Sequence, residues 1–310
     1  MDARAAGRSG NWRRIAVACW RMSRPAQLAL IGLVYLLGVA MAGTRGSAID
    51  GPAVGAGAFG LLTVALTVHY GNEYADYETD ALTERTRFSG GSGALQDLEL
   101  PRSVALRATA VSGVVAVLAV GALGVLATAL ARSLLPVGIL ATILVLGWQY
   151  SLGPLQLAWR GLGELVNAGL GGLALPLYGF AVVAGTVDLT ATLAMVPFAL
   201  VVLVNLFETQ YPDRSADAAV GKATLTSRLS DRALRRLYAA TSLGAVAALL
   251  VLWGSVLPTV VVMPSLVVLL GLGWGLWRFT SVTEPFPAVA TMVTLAAVQT
   301  AGWTWIAIGG

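Results

Sequence analysis

Apolar runs long enough to cross a bilayer recur nine times along this 310-residue chain, at about 26–43, 53–77, 104–131, 134–152, 161–184, 189–212, 234–253, 257–278 and 286–308. The pattern predicts an all-α polytopic membrane protein, nine transmembrane helices in one bundle. The polar segments between the runs alternate in character. Those after the first, third, fifth and seventh runs are short and carry only Arg45 and Arg132 as cations, while the N-terminus, the other connections and the run ends that adjoin them hold the remaining eighteen of the twenty Lys and Arg. The positive-inside rule then places the N-terminus in the cytoplasm and the C-terminus outside, in the cell (plasma) membrane.

Residues 1–25 form a separate basic segment, with Arg4, Arg8, Arg13, Arg14, Arg21 and Arg24 interleaved with Trp12 and Trp20. Arginine and tryptophan just ahead of a span suit a helix lying at the headgroup level. Ala40-Met41-Ala42 resembles a signal cleavage site, but the basic region is long and the chain keeps crossing the membrane afterwards. Residues 26–310 form the membrane domain.

Composition strengthens this picture. Hydrophobic residues make up 57% and charged residues 12%, with a mean hydropathy of +0.77, far from the soluble mix of roughly a quarter charged. The single cysteine, Cys19, excludes an internal disulfide and a cysteine-based metal site. The net charge of +4 follows the membrane and gives no reason to expect nucleic acid.

The candidate chemistry sits where two apolar runs end. Asn72, Asp76 and Asp80 are spaced four apart, so on a helix they line one stripe roughly 12 Å long. Thr209, Asp213 and Asp217 repeat the spacing at the end of the sixth run. A cation follows five residues after each ladder, Arg85 in the first and Lys222 in the second. Ionisable groups at the end of a membrane segment mark function by default, and paired acidic ladders are a way to hold Mg²⁺ against a phosphate. By the charge rule both ladders face the cytoplasm. The two connections that follow them, 81–102 and 213–232, are long enough to act as lids.

Other residues on that side leave alternatives open. Ser89-Gly90-Gly91-Ser92-Gly93 could cradle phosphate oxygens with backbone N–H groups, or be a flexible linker. Arg160 could read a diphosphate as a planar fork or anchor at the interface. Asn167 needs a partner inside the bundle. His69, the only histidine, could be a base or a packing residue. Pro212 should open the turn carrying Asp213.

Asn72-x3-Asp76-x3-Asp80, with Arg85, Arg87 and Gly90-Gly91-x-Gly93 behind it, resembles the first motif and cytoplasmic loop of the UbiA superfamily of intramembrane prenyltransferases. Pro212-Asp213-x3-Asp217-x3-Gly221-Lys222-x-Thr224-Leu225 is similar to the second motif. Arg24-Pro25, Tyr150-Ser151 and Arg160-Gly161-x-Gly163-Glu164 also look like family positions, so the resemblance runs over nearly the whole chain. The glycine loop and the Pro-Asp form of the second motif look most like the 1,4-dihydroxy-2-naphthoate branch of the menaquinone pathway. Two departures stand out: Glu73 where that branch usually has aspartate, and Thr209-Gln210 where it usually has Asn-Glu.

The resemblance implies a transferase that moves an isoprenoid chain from an allylic diphosphate to an aromatic acceptor. Asp76, Asp80, Asp213 and Asp217 would be the catalytic Mg²⁺ ligands, and Asn72, Arg85, Arg87, Lys222 and Arg160 the diphosphate contacts. His69, Tyr70, Tyr150, Asn205 and Thr209 would line the pocket for the acceptor and the allylic cation. Terpene cyclases of the same superfamily share the metal ladders, and a cation transporter could also pair aspartates across helices. A transporter, however, would more often place them near the bilayer midplane on broken helices.

Overall fold

The computed structural model describes residues 3–309, with side chains from Asn11 onward, so Arg4 and Arg8 of the basic segment lie outside the described side chains. Every named element is a helix. The basic segment is α1 (Ala3–Met22), and a sharp corner at Ser23-Arg24 leads into α2 (Pro25–Gly43) and α3 (Gly51–Ala75). Two short helices, α4 (Tyr77–Leu82) and α5 (Ala94–Asp97), lie between α3 and the next long helix. Then come α6 (Ser103–Ala129) and α7 (Leu135–Ser151). The fifth run is α8 (Gly163–Gly169), a π turn and α9 (Leu175–Ala184); the sixth is α10 (Leu189–Ala194) with α11 (Val196–Gln210). After α12 (Arg214–Ala219) and α13 (Leu225–Arg228) the bundle closes with α14 (Asp231–Val251), α15 (Thr259–Ser265) with α16 (Val268–Arg278), and α17 (Phe286–Ala307).

Eight helical segments of the described residues are long and apolar enough to span a membrane, one fewer than the nine expected. The missing one is α7, which has 17 residues and so rises only about 25 Å. It still occupies the predicted fourth position.

Local chemistry sets the helix starts. Pro52, Pro136 and Pro197 stand in the first turns of α3, α7 and α11, where a missing N–H costs nothing. Asp50 accepts from Ala53 N, and Asp188 from Ala191 N, capping α3 and α10.

Small residues set the closest packing. A Cβ on Gly38 of α2 would stand 1.7 Å from the Pro176 carbonyl oxygen, and one on Gly179 of α9 would stand 2.1 Å from the Tyr35 carbonyl oxygen. Reciprocal glycines thus let α2 and α9 meet backbone to backbone, as membrane helices do when packing rather than water exclusion must hold them. Tyr35 and Tyr178 donate to the carbonyls of Val54 and Gly57, both at 2.9 Å, tying α3 to the same pair. On the far side, buried Glu208 of α11 accepts from Tyr238 of α14 at 2.7 Å and from Ala288 N of α17 at 3.1 Å. By contrast, α6 leaves Val111, Val114, Leu118 and Val125 exposed. Such a surface would aggregate in water and suits contact with lipid. The core therefore lies around α2, α9, α11 and α17, and the C-terminal ends of α3 and α11 are brought to one end of it.

Candidate active site

Both acidic ladders start on a helix end and finish on a separate short helix. The α3 helix ends at Ala75, Asp76 takes up φ −92 and ψ 8, and α4 restarts at Tyr77. The chain keeps a helical pitch through the break, since Asp76 N bonds to Asn72 O and Asp80 N to Asp76 O, both at 2.8 Å. The second ladder repeats this design: α11 stops at Gln210, a turn holds Tyr211-Pro212-Asp213, and Asp217 N bonds to Asp213 O at 2.8 Å. As expected, Pro212 stands in the opened turn. Each break frees the aspartates from a straight stripe and lets them face the opposite ladder.

Lys222, the only lysine of the sequence, joins the two. Its Nζ donates to Asp76 Oδ1 at 2.8 Å and lies 3.5 Å from Asp217 Oδ1. Burial opposes the lysine charge, but Asp76 and Asp217 outweigh it and hold its pKa above the ordinary value. The Lys222 loop is itself fixed from several sides: Lys222 N bonds to Asp217 O at 2.8 Å, Thr224 Oγ1 donates to Asp217 Oδ2 at 3.2 Å, and buried Glu164 accepts from Leu225 N at 2.7 Å. Burial, with Asp76 and Glu73 nearby, pushes Asp80 up to about 8. Burial, with Asp217 nearby, pushes Asp213 up to about 7. Burial also raises Asp217. The cluster is thus short of positive charge.

The glycine run is neither a loose linker nor an open cradle. It folds down on the aspartates. Gly91 lies so close to Asp80 that a Cβ would stand 1.9 Å from Oδ2, and its φ of +67 also favours glycine.

All of this forms one end of a cavity of about 950 Å³. The ladders and Lys222 line its polar mouth, and Leu61, Val64, Ile143, Leu175 and Phe198 line its apolar depth. His69, Tyr150, Asn205 and Thr209 line the same cavity. His69 Nδ1 lies 2.8 Å from the Ser23 carbonyl, which can only accept, so Nδ1 carries the proton and Nε2 is left an acceptor. Asn72 accepts from Ser151, and Thr209 donates its hydroxyl to Asn205 O at 2.9 Å. Arg85 and Arg87 reach the mouth, but Arg85 is held bidentate by Asp97 at 3.2 and 2.9 Å.

Two expected site residues lie elsewhere. Tyr70 points to α1, donating to Cys19 O at 3.3 Å within the apolar contact between α1 and α3, because it projects from the face of α3 opposite the cavity. Arg160 is exposed and donates to Pro154 O at 3.3 Å; its turn lies outside the cavity wall.

The residues present fit Mg²⁺. Asp213 Oδ1 and Asp217 Oδ1 are buried acceptors without a hydrogen-bond donor, and every candidate ligand is a hard oxygen. Among the described residues no three carboxylate or imidazole groups converge on one point. The ladders therefore form two walls that leave coordination positions for phosphate oxygens and water.

The sequence matches the UbiA prenyltransferase family over residues 31–306. The chain belongs to that family. No curated protein sequence matches it. Solved structures share the UbiA fold across the whole bundle. The apo UbiA homologue from Aeropyrum pernix K1 superposes with a TM-score of 0.64 at 13% identity, covering 88% of this chain and 96% of that one. A UbiA homologue from Archaeoglobus fulgidus bound to DMAPP and Mg²⁺ gives 0.61 at 15% identity, with 94% and 99% covered. The structure of a digeranylgeranylglyceryl phosphate synthase gives 0.61 at 12%, also with 94% and 99% covered. This UbiA member is therefore an integral membrane protein with the all-α family fold.

The sequence marked Arg24 only as a family position, and gave Glu73 and Asp97 no place in the site. Glu73 was legible only as a departure from the naphthoate pattern. The available signal was physical: a carboxylate off the ladder stripe, at the end of a membrane helix, must find a cation.

Proposed function

We propose that this UbiA member is a Mg²⁺-dependent prenyltransferase that moves an isoprenoid chain from an allylic diphosphate to an aromatic acceptor, of the kind used in quinone precursors. The observation that carries the reading is the junction of four aspartates from two helix ends, bridged by the sole lysine, at the polar mouth of an otherwise apolar cavity. A binding site with one highly charged end and one greasy end suits an isoprenoid diphosphate.

In this reading Asp76, Asp80, Asp213 and Asp217 hold Mg²⁺, which when bound neutralises diphosphate charge and makes it a better leaving group. Lys222 is already charged and directed at the place where the leaving group gathers negative charge, so it needs little reorganisation as the C–O bond breaks. Asn72 has its carbonyl committed to Ser151, which leaves its amide hydrogens for a phosphate oxygen. The apolar wall excludes water from the allylic cation, and the Tyr150 face stabilises it. The acceptor ring then forms the new C–C bond and loses a proton. His69 lines the same cavity with Nε2 left an acceptor, so it is the group that would take the proton of a ring hydroxyl.

Solubilised protein supplied with Mg²⁺, allylic diphosphates of several lengths and a panel of hydroxylated aromatic acceptors tests the proposal by mass spectrometry. A prenylated ring supports it. A cyclic terpene made from the diphosphate alone replaces transfer by cyclisation.

A further inference from the structure

The last turn of α3 carries a carboxylate that belongs to neither ladder. Glu73 is 3% exposed and both of its oxygens are engaged. Oε1 accepts from Arg24 Nε at 3.1 Å, from Arg24 Nη2 at 2.6 Å and from the Ser92 backbone N at 2.9 Å; Oε2 accepts from Ser92 Oγ at 2.6 Å. One side chain thus ties three separate segments together: the corner between α1 and α2, the end of α3, and the glycine-rich loop.

The two partners both bear on the cavity. Arg24 is held in the left-handed region, φ 51 and ψ 67, a conformation unfavourable for a side chain of this kind. That corner is pinned by α3 twice, through Glu73 and through His69 on the Ser23 carbonyl. Its guanidinium lines the mouth with Nη1 unused by Glu73. Ser92 lies next to Gly91, which rests on Asp80, and its carbonyl accepts from Arg21 at 3.0 Å. Anything that shifts Glu73 therefore moves a cation at the mouth and the loop over the first ladder together.

We infer that Glu73 is a positioning residue for the diphosphate: it sets Arg24 at the cavity mouth and fixes the loop that covers Asp80. The inference rests on the reading of the mouth as a diphosphate site. Glutamate suits the task because its carboxylate must serve an arginine on one side and a loop on the other. Aspartate, one methylene shorter, could hold one partner well but would have to draw the other inward.

The test compares wild type, Glu73→Gln, Glu73→Asp and Ser92→Ala as full-length solubilised protein. Two readouts are used: KM and kcat with geranyl diphosphate, and tryptic cleavage after Arg85 and Arg87 during titration with inorganic pyrophosphate and Mg²⁺. Glu73→Gln should raise KM, and the pyrophosphate needed for protection, about tenfold, the scale of losing a charge-assisted contact. Its kcat at saturation should change much less. Glu73→Asp should fall between it and wild type, and Ser92→Ala should move both readouts in the same direction by a smaller amount. If Glu73→Gln only melts earlier and keeps the wild-type KM and protection, Glu73 is a structural tie and the inference is wrong. Should Glu73→Gln fail to fold, unchanged values in Ser92→Ala would overturn it equally. Wild type that shows no Mg²⁺-dependent protection would remove the diphosphate site and this inference with it.

Discussion

Asp76 and Asp213 occupy corresponding places in the two ladders, each in the break between a membrane helix and the short helix that follows it. Asp76→Ala or Asp213→Ala should therefore lower turnover by about 10²-fold or more, the scale of losing a preorganised electrostatic group. Circular dichroism and gel filtration should remain those of the wild type. Lys222→Ala should raise KM for the diphosphate roughly tenfold; near-normal KM would show that the lysine serves the ladders only. The raised aspartates also set a pH dependence. Asp80 at about 8 and Asp213 at about 7 stand above their unfolded values, so the protonated site favours folding and that contribution is lost as pH rises through 7 and 8. Without Mg²⁺ the melting temperature should fall between pH 6 and 9. Added Mg²⁺ should raise it more at pH 9 than at pH 6, because bound metal displaces the protons. A metal effect independent of pH would mean that these carboxylates are not its ligands.

At the scale of helices, much was readable in advance and for identifiable reasons. Apolar length alone located the spans, and four-residue spacing located both ladders, because each signal is local to one stretch of chain. Pro212 announced the turn before Asp213 for the same reason. What escaped depends on distant partners. Glu73 reaches 49 residues back to Arg24 and 19 forward to Ser92, and Asp97 holds Arg85 and Arg21 from outside any motif. Tyr70 was misplaced because the spacing of α3 does not reveal that α1 covers its outer face. Gly91→Ala should disable the site while sparing the bundle, since the added Cβ meets Asp80. Gly179→Ala should do the opposite, lowering stability by about 1–3 kcal/mol through its clash with the Tyr35 carbonyl. Melting temperatures and turnover measured on both variants separate these two roles.

For the whole molecule, one bundle places a charged site at one membrane face and an apolar cavity behind it. The uneven division of arginine and lysine predicts that this face is the cytoplasmic one. Cysteines placed at the exposed positions Glu84 and Thr186 in a Cys19→Ser background test this orientation: in intact cells an impermeant reagent should label position 186 and spare 84. The most direct measurement of the central claim is product analysis on purified protein given Mg²⁺, geranyl diphosphate and hydroxylated aromatic acceptors. The account predicts a prenylated aromatic ring and one equivalent of diphosphate, both lost on chelation and in Asp76→Ala; steady diphosphate release with a cyclic product and no need for acceptor, or turnover that survives chelation, would contradict it.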